Sequence, residues 1–470
     1  MSTKTRGRGP LTLAVTGIAL FMTALDNLVV GVALPSIRAD LGGSIESLEW
    51  TVNAYTLSFA VLLITGAALG DRFGRKRMFI VGVAIFTGAS AMAALAPSLD
   101  ALIAARAVQG LGAAIVTPLT LTLISDAFPP EKRAAALGIW GGISGLGVAL
   151  GPAVGGAVVE GIAWQWIFWL NVPIGIALIP FATRTLTESR GPDRALDLGG
   201  LALAGTGLFG LTFGIIRGES LGWTSSTVVA SLAAGIALLA AFVAWELRTA
   251  NPMLPMRFFR SKAFSATNGL SFSMFFGTFG AIFLLAQFFQ TAQGYGPLEA
   301  GLLTLPWTAM PMIVAPIAGV LAGRIGTRPL MAAGLALQAA GLAWIAMVSA
   351  PDVAFTELIP AFVMAGTGMA LVFPTAAETV LASVRAHEAG KASGATNAIR
   401  EVGGVMGVAV LASVFTANGG YESPQAFTDG VVSALPIAVV VLAVGALLAL
   451  ITPGRAAGRG VEVAEAPAAA

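Results

Sequence analysis

A chain of 470 residues that is 56% hydrophobic and 11% charged lies far from the roughly 25% charged composition of a soluble domain, which excludes an ordinary soluble enzyme. Its 26 basic and 24 acidic residues leave a net charge of +2, too balanced for a polybasic surface that binds nucleic acid. It has no cysteine, so disulfides, thiolate metal sites and cysteine nucleophiles are excluded together.

The basic N-terminus MSTKTRGRGP precedes an apolar run of about two dozen residues, longer than the 7–15 residues of a signal-peptide core, and reads as an uncleaved first span. A bilayer core of roughly 30 Å needs about 20 helical residues, because only a helix satisfies every backbone group within one segment. Apolar runs bounded by charges, Pro or Gly clusters place spans near 11–34, 49–70, 77–96, 101–124, 134–159, 164–183 and 197–216. They continue near 227–246, 263–288, 298–322, 329–348, 356–381, 391–416 and 431–452. The chain therefore reads as an all-α integral membrane protein of fourteen spans. With the N-terminus inside, the tails and the loops near 71–77, 125–133, 184–196, 246–262, 323–328 and 382–391 hold 22 of the 26 Lys and Arg residues. The outer loops hold Arg38 and Arg217, and Arg106 and Arg400 fall within spans. That split fits the positive-inside rule and expects both termini in the cytoplasm. Trp50, Trp164, Trp166 and Trp169 lie at outer span ends, where an interfacial aromatic belt accounts for them.

Ala67–Arg77, AALGDRFGRKR, is echoed about 250 residues on by Gly319–Arg328, GVLAGRIGTR, with Gly323 where the first copy has Asp71. The repeat divides the chain into a six-helix bundle over 1–190, two additional spans within 191–262, a second six-helix bundle over 263–455 and a cytoplasmic tail over 456–470.

Little of the sequence suits enzymatic chemistry. The only Gly-Lys pair, Gly390-Lys391, is followed by Ala392 and makes no phosphate-binding GxxxxGK[ST] loop. The single histidine, His387, reads as a solvated loop residue. Ion-driven transport instead needs a protonatable group at membrane depth, where an unpaired charge is costly. Asp26 is the clearest, about eight residues and thus roughly 12 Å below the outer end of its span. Arg106 falls at the same depth in the fourth span, so the two can pair or communicate through water. Arg400 and Glu401 lie near mid-membrane in the thirteenth span; neighbours on a helix point about 100° apart and need separate partners. Glu401 is the second protonatable candidate, and Glu378 and Glu246, near inner helix ends, read as interfacial. In the fifth span Gly147, Gly151 and Gly155 share one face beside Pro152, a surface for close helix approach that also suits sliding. The Phe-rich stretches 272–279 and 283–290 read mainly as lipid-facing, with some rings left to meet flat or cationic molecules.

These residues resemble motifs of the major facilitator superfamily, and within it the fourteen-span drug:proton antiporters. GDRFGRKR is similar to the superfamily's loop motif between spans two and three, matching it at Asp71, Arg72, Gly74 and Arg75 and departing at Ala67, where Gly is usual. LDNLVVGVALP is similar to the first-span motif around Asp26, with Leu28 and Gly31 in place of Thr and Asn. RAVQGLGAA resembles the fourth-span motif whose Arg, here Arg106, takes part in proton transfer, and GVALGPAVGG resembles the fifth-span antiporter signature. The resemblance implies two bundles rocking about a central cavity around Asp26, Arg400 and Glu401, with proton coupling through Asp26, Arg106 and Glu401. Conformational gating would fall to the loop motif and to Gly147, Gly151, Pro152 and Gly155. It further implies export of small hydrophobic or cationic drugs from the cytoplasm or inner leaflet of the cell membrane. The driving force would be a proton gradient without cofactor, metal or nucleic acid, and the working unit a monomer.

A dedicated exporter or flippase of one endogenous metabolite or lipid is the alternative reading. A reporter active only in the cytoplasm should be active when fused after Arg194 and equally after Arg455; activity at one site alone would remove the fourteen-span topology.

Overall fold

The computed structural model describes residues 9–190, 197–385 and 389–453. The tail over 456–470, His387 and the first eight residues lie outside this set. In chain order the helices are α1 Gly9–Leu41, α2 Ile45–Phe73, α3 Arg75–Ala94, α4 Leu99–Ala127, α5 Pro130–Gly161, α6 Trp166–Thr185 and α7 Leu198–Leu221. They continue as α8 Ser226–Glu246, α9 Lys262–Thr291, α10 Pro297–Ile325, α11 Thr327–Val348, α12 Phe355–Ala382, α13 Ala389–Asn418 and α14 Pro424–Ile451. Twelve helices among the described residues are long and apolar enough to cross a membrane, and thirteen if α2, whose two stretches meet at 51°, is one span. The remaining helix, the 32-residue α5, is outside that number, so the structure supports twelve to thirteen of the fourteen expected spans.

Helix ends follow local chemistry more than hydropathy. Ser98, Ser225, Ser261 and Ser423 each accept a hydrogen bond from a backbone N–H in the first turn that follows, satisfying donors no helical carbonyl can reach. The Ser423 cap starts α14 seven residues ahead of the apolar run. α10 is interrupted at Thr304 and Ala309; Pro306 and Pro311, just beyond, each lack the N–H that would continue the ladder.

Among the first six helices, α4 packs against α2 and α3, and α1 against α5. In the later part, α11 packs on α12 and α14, and α9 on α13 and α14. The pair α7 and α8 packs mainly on itself, with α7 touching α2 and α13. α9 is enclosed on several sides, so Phe276, Phe283, Phe288 and Phe289 are buried at 5% exposure or less rather than facing lipid. Trp164 is likewise buried, its indole N–H donating to Asp40 at 2.8 Å, so it is an anchor and not part of a belt.

The sequence repeat corresponds to a structural one. Gly74 is the single residue between α2 and α3, and Gly326 the single residue between α10 and α11, with φ of 110° and 88°. Both lie in the region of backbone space that glycine enters without a steric cost.

The earlier and later helices meet where α2 lies on α13, α5 on α10 and α1 on α9. Gly147, Gly151 and Gly155 face α1. The contact of α5 with α10 uses another face: a Cβ on Gly156 would collide with the Pro297 carbonyl, and one on Gly301 with the Pro152 carbonyl. At the same end Leu298 N–H donates to the Glu160 carboxylate at 3.0 Å, Gln290 donates to the Val32 carbonyl at 3.0 Å, and the Arg38 guanidinium lies 4.1 Å over the Tyr421 ring. Burial pushes the Tyr421 hydroxyl above its usual range, against the opposing pull of Arg38, which keeps it a neutral donor to Gln287.

Because the chain has no cysteine, a Glu160→Cys/Leu298→Cys pair should oxidise readily, and adding Gly156→Leu should lower the yield severalfold at equal expression. An unchanged yield would show that this backbone contact does not hold α5 against α10.

Candidate functional site

Asp26 and Arg106 are both fully buried, and a carboxylate or guanidinium taken out of water must find its partners within the protein. Arg106 Nη1 donates to Asp26 Oδ2 at 2.5 Å. Asp26 Oδ1 accepts from Gln109 Nε2 and from Asn171 Nδ2, each at 2.8 Å. Arg106 Nε donates to the Thr51 carbonyl at 3.1 Å, and Nη1 also donates to Gln109 Oε1 at 2.8 Å. Ser90 Oγ accepts from Gln109 and Asn171 and donates to the Phe168 carbonyl. Five helices, α1 to α4 and α6, thus contribute to one buried network.

Sequence reasoning placed Asp26 and Arg106 together; it missed Gln109, Asn171, Ser90 and Thr51. Gln109 carried a signal, since it follows Arg106 by three residues and shares its helix face. Asn171 and Ser90 carried none beyond being polar within an apolar span, where such residues commonly serve as glue between helices. The ring of Tyr55 lies 4.3 Å from the Arg106 guanidinium, and its hydroxyl donates to the Thr23 carbonyl at 3.3 Å.

Tyr55 also faces a cavity of about 160 Å³. α1, α2, α4 and α5 line one side and α9, α10, α12 and α13 the other, so it lies where the two series of helices meet. Aromatic rings form much of its wall, among them Phe59, Trp140, Phe275, Phe279, Trp307 and Phe373, with Asn27, Asn397, Glu401 and several threonines as polar members. Glu401 is the one charged side chain among the lining residues. Its Oε2 is buried and has no hydrogen-bond partner among the described residues.

Asp26 and Arg400 are not among the lining residues. Asp26 stands behind Tyr55, paired with the Arg106 guanidinium that packs on the Tyr55 ring. Arg400 lies behind the rings of Phe373 and Phe275, its guanidinium 4.6 and 5.9 Å from their centroids. As their spacing required, Arg400 and Glu401 point to different surroundings.

The loop motif forms a second cluster, at the end of α2. Arg75 pairs with Asp71 at 2.9 Å and with Asp126 at 2.6 Å. The Glu188 carboxylate accepts the backbone N–H groups of Lys76 and Arg77 at 3.1 and 3.2 Å, capping the start of α3, where the helix dipole favours a negative charge. The helix cap at this loop is therefore Glu188, and Asp71 pairs within its own loop. Arg72 is exposed and lies over Phe73. These bonds join α2, α3, α4 and the segment after α6, all within the first six helices. Gly74 cannot be replaced cheaply, since its φ of 110° strains any residue with a Cβ, and that Cβ would also displace the Glu188 carboxylate, 2.7 Å away.

Comparison with known proteins agrees with this architecture. The profile of the Major Facilitator Superfamily matches residues 16–408. The chain is 38% identical to the multidrug resistance protein Stp of Mycobacterium tuberculosis over 87% of its length and 76% of that protein's. It is 34% identical to the tetracenomycin C resistance and export protein of Streptomyces glaucescens, over 90% and 79% respectively. Among solved structures, a POT-family transporter in complex with a thioalcohol-conjugated peptide superposes with a TM-score of 0.70 at 14% identity, over 92% of this chain and 94% of that one, a likeness of fold alone. With a family match over most of its length and relatives that export drugs and antibiotics, this multi-pass membrane protein, a transporter and not an enzyme, belongs to the Major Facilitator Superfamily.

Proposed function

We propose that the chain is a proton-coupled antiporter that exports hydrophobic or cationic drugs and antibiotics by alternating access. The observation that carries this reading is the aromatic cavity with its single carboxylate, separated by one side chain, Tyr55, from a fully buried acid–base network. A cation in the cavity gains the Glu401 carboxylate and the π faces of the surrounding rings. A neutral flat molecule gains the rings alone.

The coupling follows from the bonding of Asp26. Protonation removes the charge that holds Arg106 Nη1, and Arg106 retains Gln109 and the Thr51 carbonyl while its ring contact with Tyr55 is free to change. A shift of Tyr55 carries that event to the cavity wall. Glu401 offers a second proton site in direct competition with a cationic substrate, which is a simple basis for exchange. Asp26, Arg106 and Glu401 are thus the proposed coupling residues. Arg400 acts from behind Phe373 and Phe275.

In this reading α5 completes fourteen spans, and the distribution of Lys and Arg puts both termini in the cytoplasm of a cell-membrane protein. The bundles 1–190 and 263–455 then rock as units, with the α7–α8 pair between them. The contacts at Gly156, Glu160, Gln290 and Arg38 fall on the outer side, which supports an arrangement closed to the exterior. The driving force is the proton gradient, no cofactor is required, and one chain suffices.

A susceptibility panel in a host deleted of its own pumps should show raised resistance to several aromatic or cationic antibiotics on expression of this chain. Resistance to none, with a change in lipid content of the outer leaflet, would favour a flippase instead. Asp26→Asn keeps the size and most of the hydrogen bonds of Asp26 but cannot cycle a proton, so substrate should still bind while a pH gradient no longer drives export from vesicles. Wild-type export by this variant would move coupling elsewhere. Glu401→Gln should weaken binding of a monocation about tenfold, the equivalent of about 1.4 kcal/mol, and leave a neutral substrate within about twofold; equal losses for both would remove Glu401 as the cation contact.

A further inference from the structure

The pair α7 and α8 carries a feature that the transport cycle does not use. Asp197 immediately precedes α7, and its Oδ1 accepts from Gly200 N–H and from the Trp245 indole, each at 2.7 Å. Glu246, the last residue of α8, is only 3% exposed, contrary to the interfacial position its sequence suggested. Its Oε2 accepts from Leu254 N–H at 2.9 Å. The two remaining oxygens, Asp197 Oδ2 and Glu246 Oε1, are both buried and have no hydrogen-bond partner among the described residues. Both lie 2.7 Å from the point that a Cβ on Gly200 would occupy, so the absent side chain is what lets them meet.

Each carboxyl is therefore satisfied on one oxygen by a fixed donor and bare on the other, and the bare atoms converge. Two ionised carboxylates do not persist in such a place, because like charges at close range away from water cannot both remain ionised. A single proton between them satisfies both atoms at once and leaves the pair with one negative charge. Among the described residues the charged group that acts on Glu246 is Asp197. Arg248, Arg257 and Arg260 on the linker, Asp71 and Arg72 on α2 and Lys391 on α13 are among the other charged groups of the linker and of the helices packed on the pair. Arg248, the nearest in sequence, is exposed.

We propose that Asp197 and Glu246 form a proton-binding site that closes the base of the α7–α8 pair and, through Glu246 Oε2, pins the linker at Leu254. The proton comes from water on that face of the protein and returns to it. When it leaves, the two negative charges repel, the base of the pair opens and the hold on Leu254 weakens. The segment Leu247–Ser261 leads directly into α9, so occupancy of the site sets how firmly the chain between the two series of helices is tied down. This inference is independent of the transport reading.

The test uses the full chain in lipid nanodiscs. Subtracting the fluorescence of Trp245→Phe from that of the wild type isolates Trp245, whose indole reports on Asp197 directly. Between pH 5 and pH 10 this difference should pass through one transition with the steepness of a single proton, and the transition should vanish in Glu246→Gln, where the amide N–H permanently supplies the missing donor. A signal flat with pH, or a transition unchanged in Glu246→Gln, overturns the site. A second measurement needs no charge variant: a spin label on Ala250→Cys, in a chain otherwise free of cysteine, should gain mobility across the same pH interval. Constant mobility while the fluorescence changes overturns the link to the linker.

Discussion

A bilayer core offers no solvent to a stranded polar group, and the buried ion pair of Asp26 and Arg106 shows how this chain meets that constraint. Neither charge is exposed, so Gln109, Asn171 and the Thr51 carbonyl converge on them, with Ser90 holding Gln109 and Asn171 in turn. That requirement fixes the rotation of α1, α3, α4 and α6 about their axes and sets the depth of each. Truncating one member of such a pair leaves an uncompensated charge, at a cost of about 3–5 kcal/mol in buried systems. The cavity, Tyr55 and the packing of the first six helices are arranged around a network that cannot be loosened without consequence.

Much of this was legible in the sequence. Twelve to thirteen of the fourteen expected spans were, because an apolar run of about 20 residues in lipid has few other outcomes. Asp26 and Arg106 were, because charges at equal depth in antiparallel helices must find each other. The loops near 71–77 and 323–328 were, since one short motif occurs twice, though that each turns on a single glycine is seen only in the structure.

The rest was hidden for definite reasons. Lipid and protein core are equally apolar, so hydropathy could not say that Phe276, Phe283, Phe288 and Phe289 of α9 face other helices. Gln109 lay on the same face as Arg106, but Asn171 reaches Asp26 from α6 and Ser90 reaches Gln109 and Asn171 from α3, and no local pattern joins residues brought together by folding. Glu246 ends an apolar run, as an interfacial residue does; that α7 and the linker cover it is a fact of packing. The fifth-span glycines Gly147, Gly151 and Gly155 share one face, as their spacing expects, and it packs on α1; the second face of that helix, at Pro152 and Gly156 toward α10, was not distinguished from it.

That second face has a kinetic meaning. At Gly156 and Gly301 the two helices approach backbone to backbone, and the hydrogen bond from Leu298 N–H to the Glu160 carboxylate lies about one turn beyond Gly156. Parting such a seam forfeits dispersion at about 0.1–0.2 kcal/mol for each atom pair and needs no rotamer to swing clear. Smooth surfaces of this sort come apart and reseat without a large activation barrier. In the proposed transport cycle, a contact built from glycine leaves turnover to the breaking and remaking of buried polar bonds and not to the parting of these two helices.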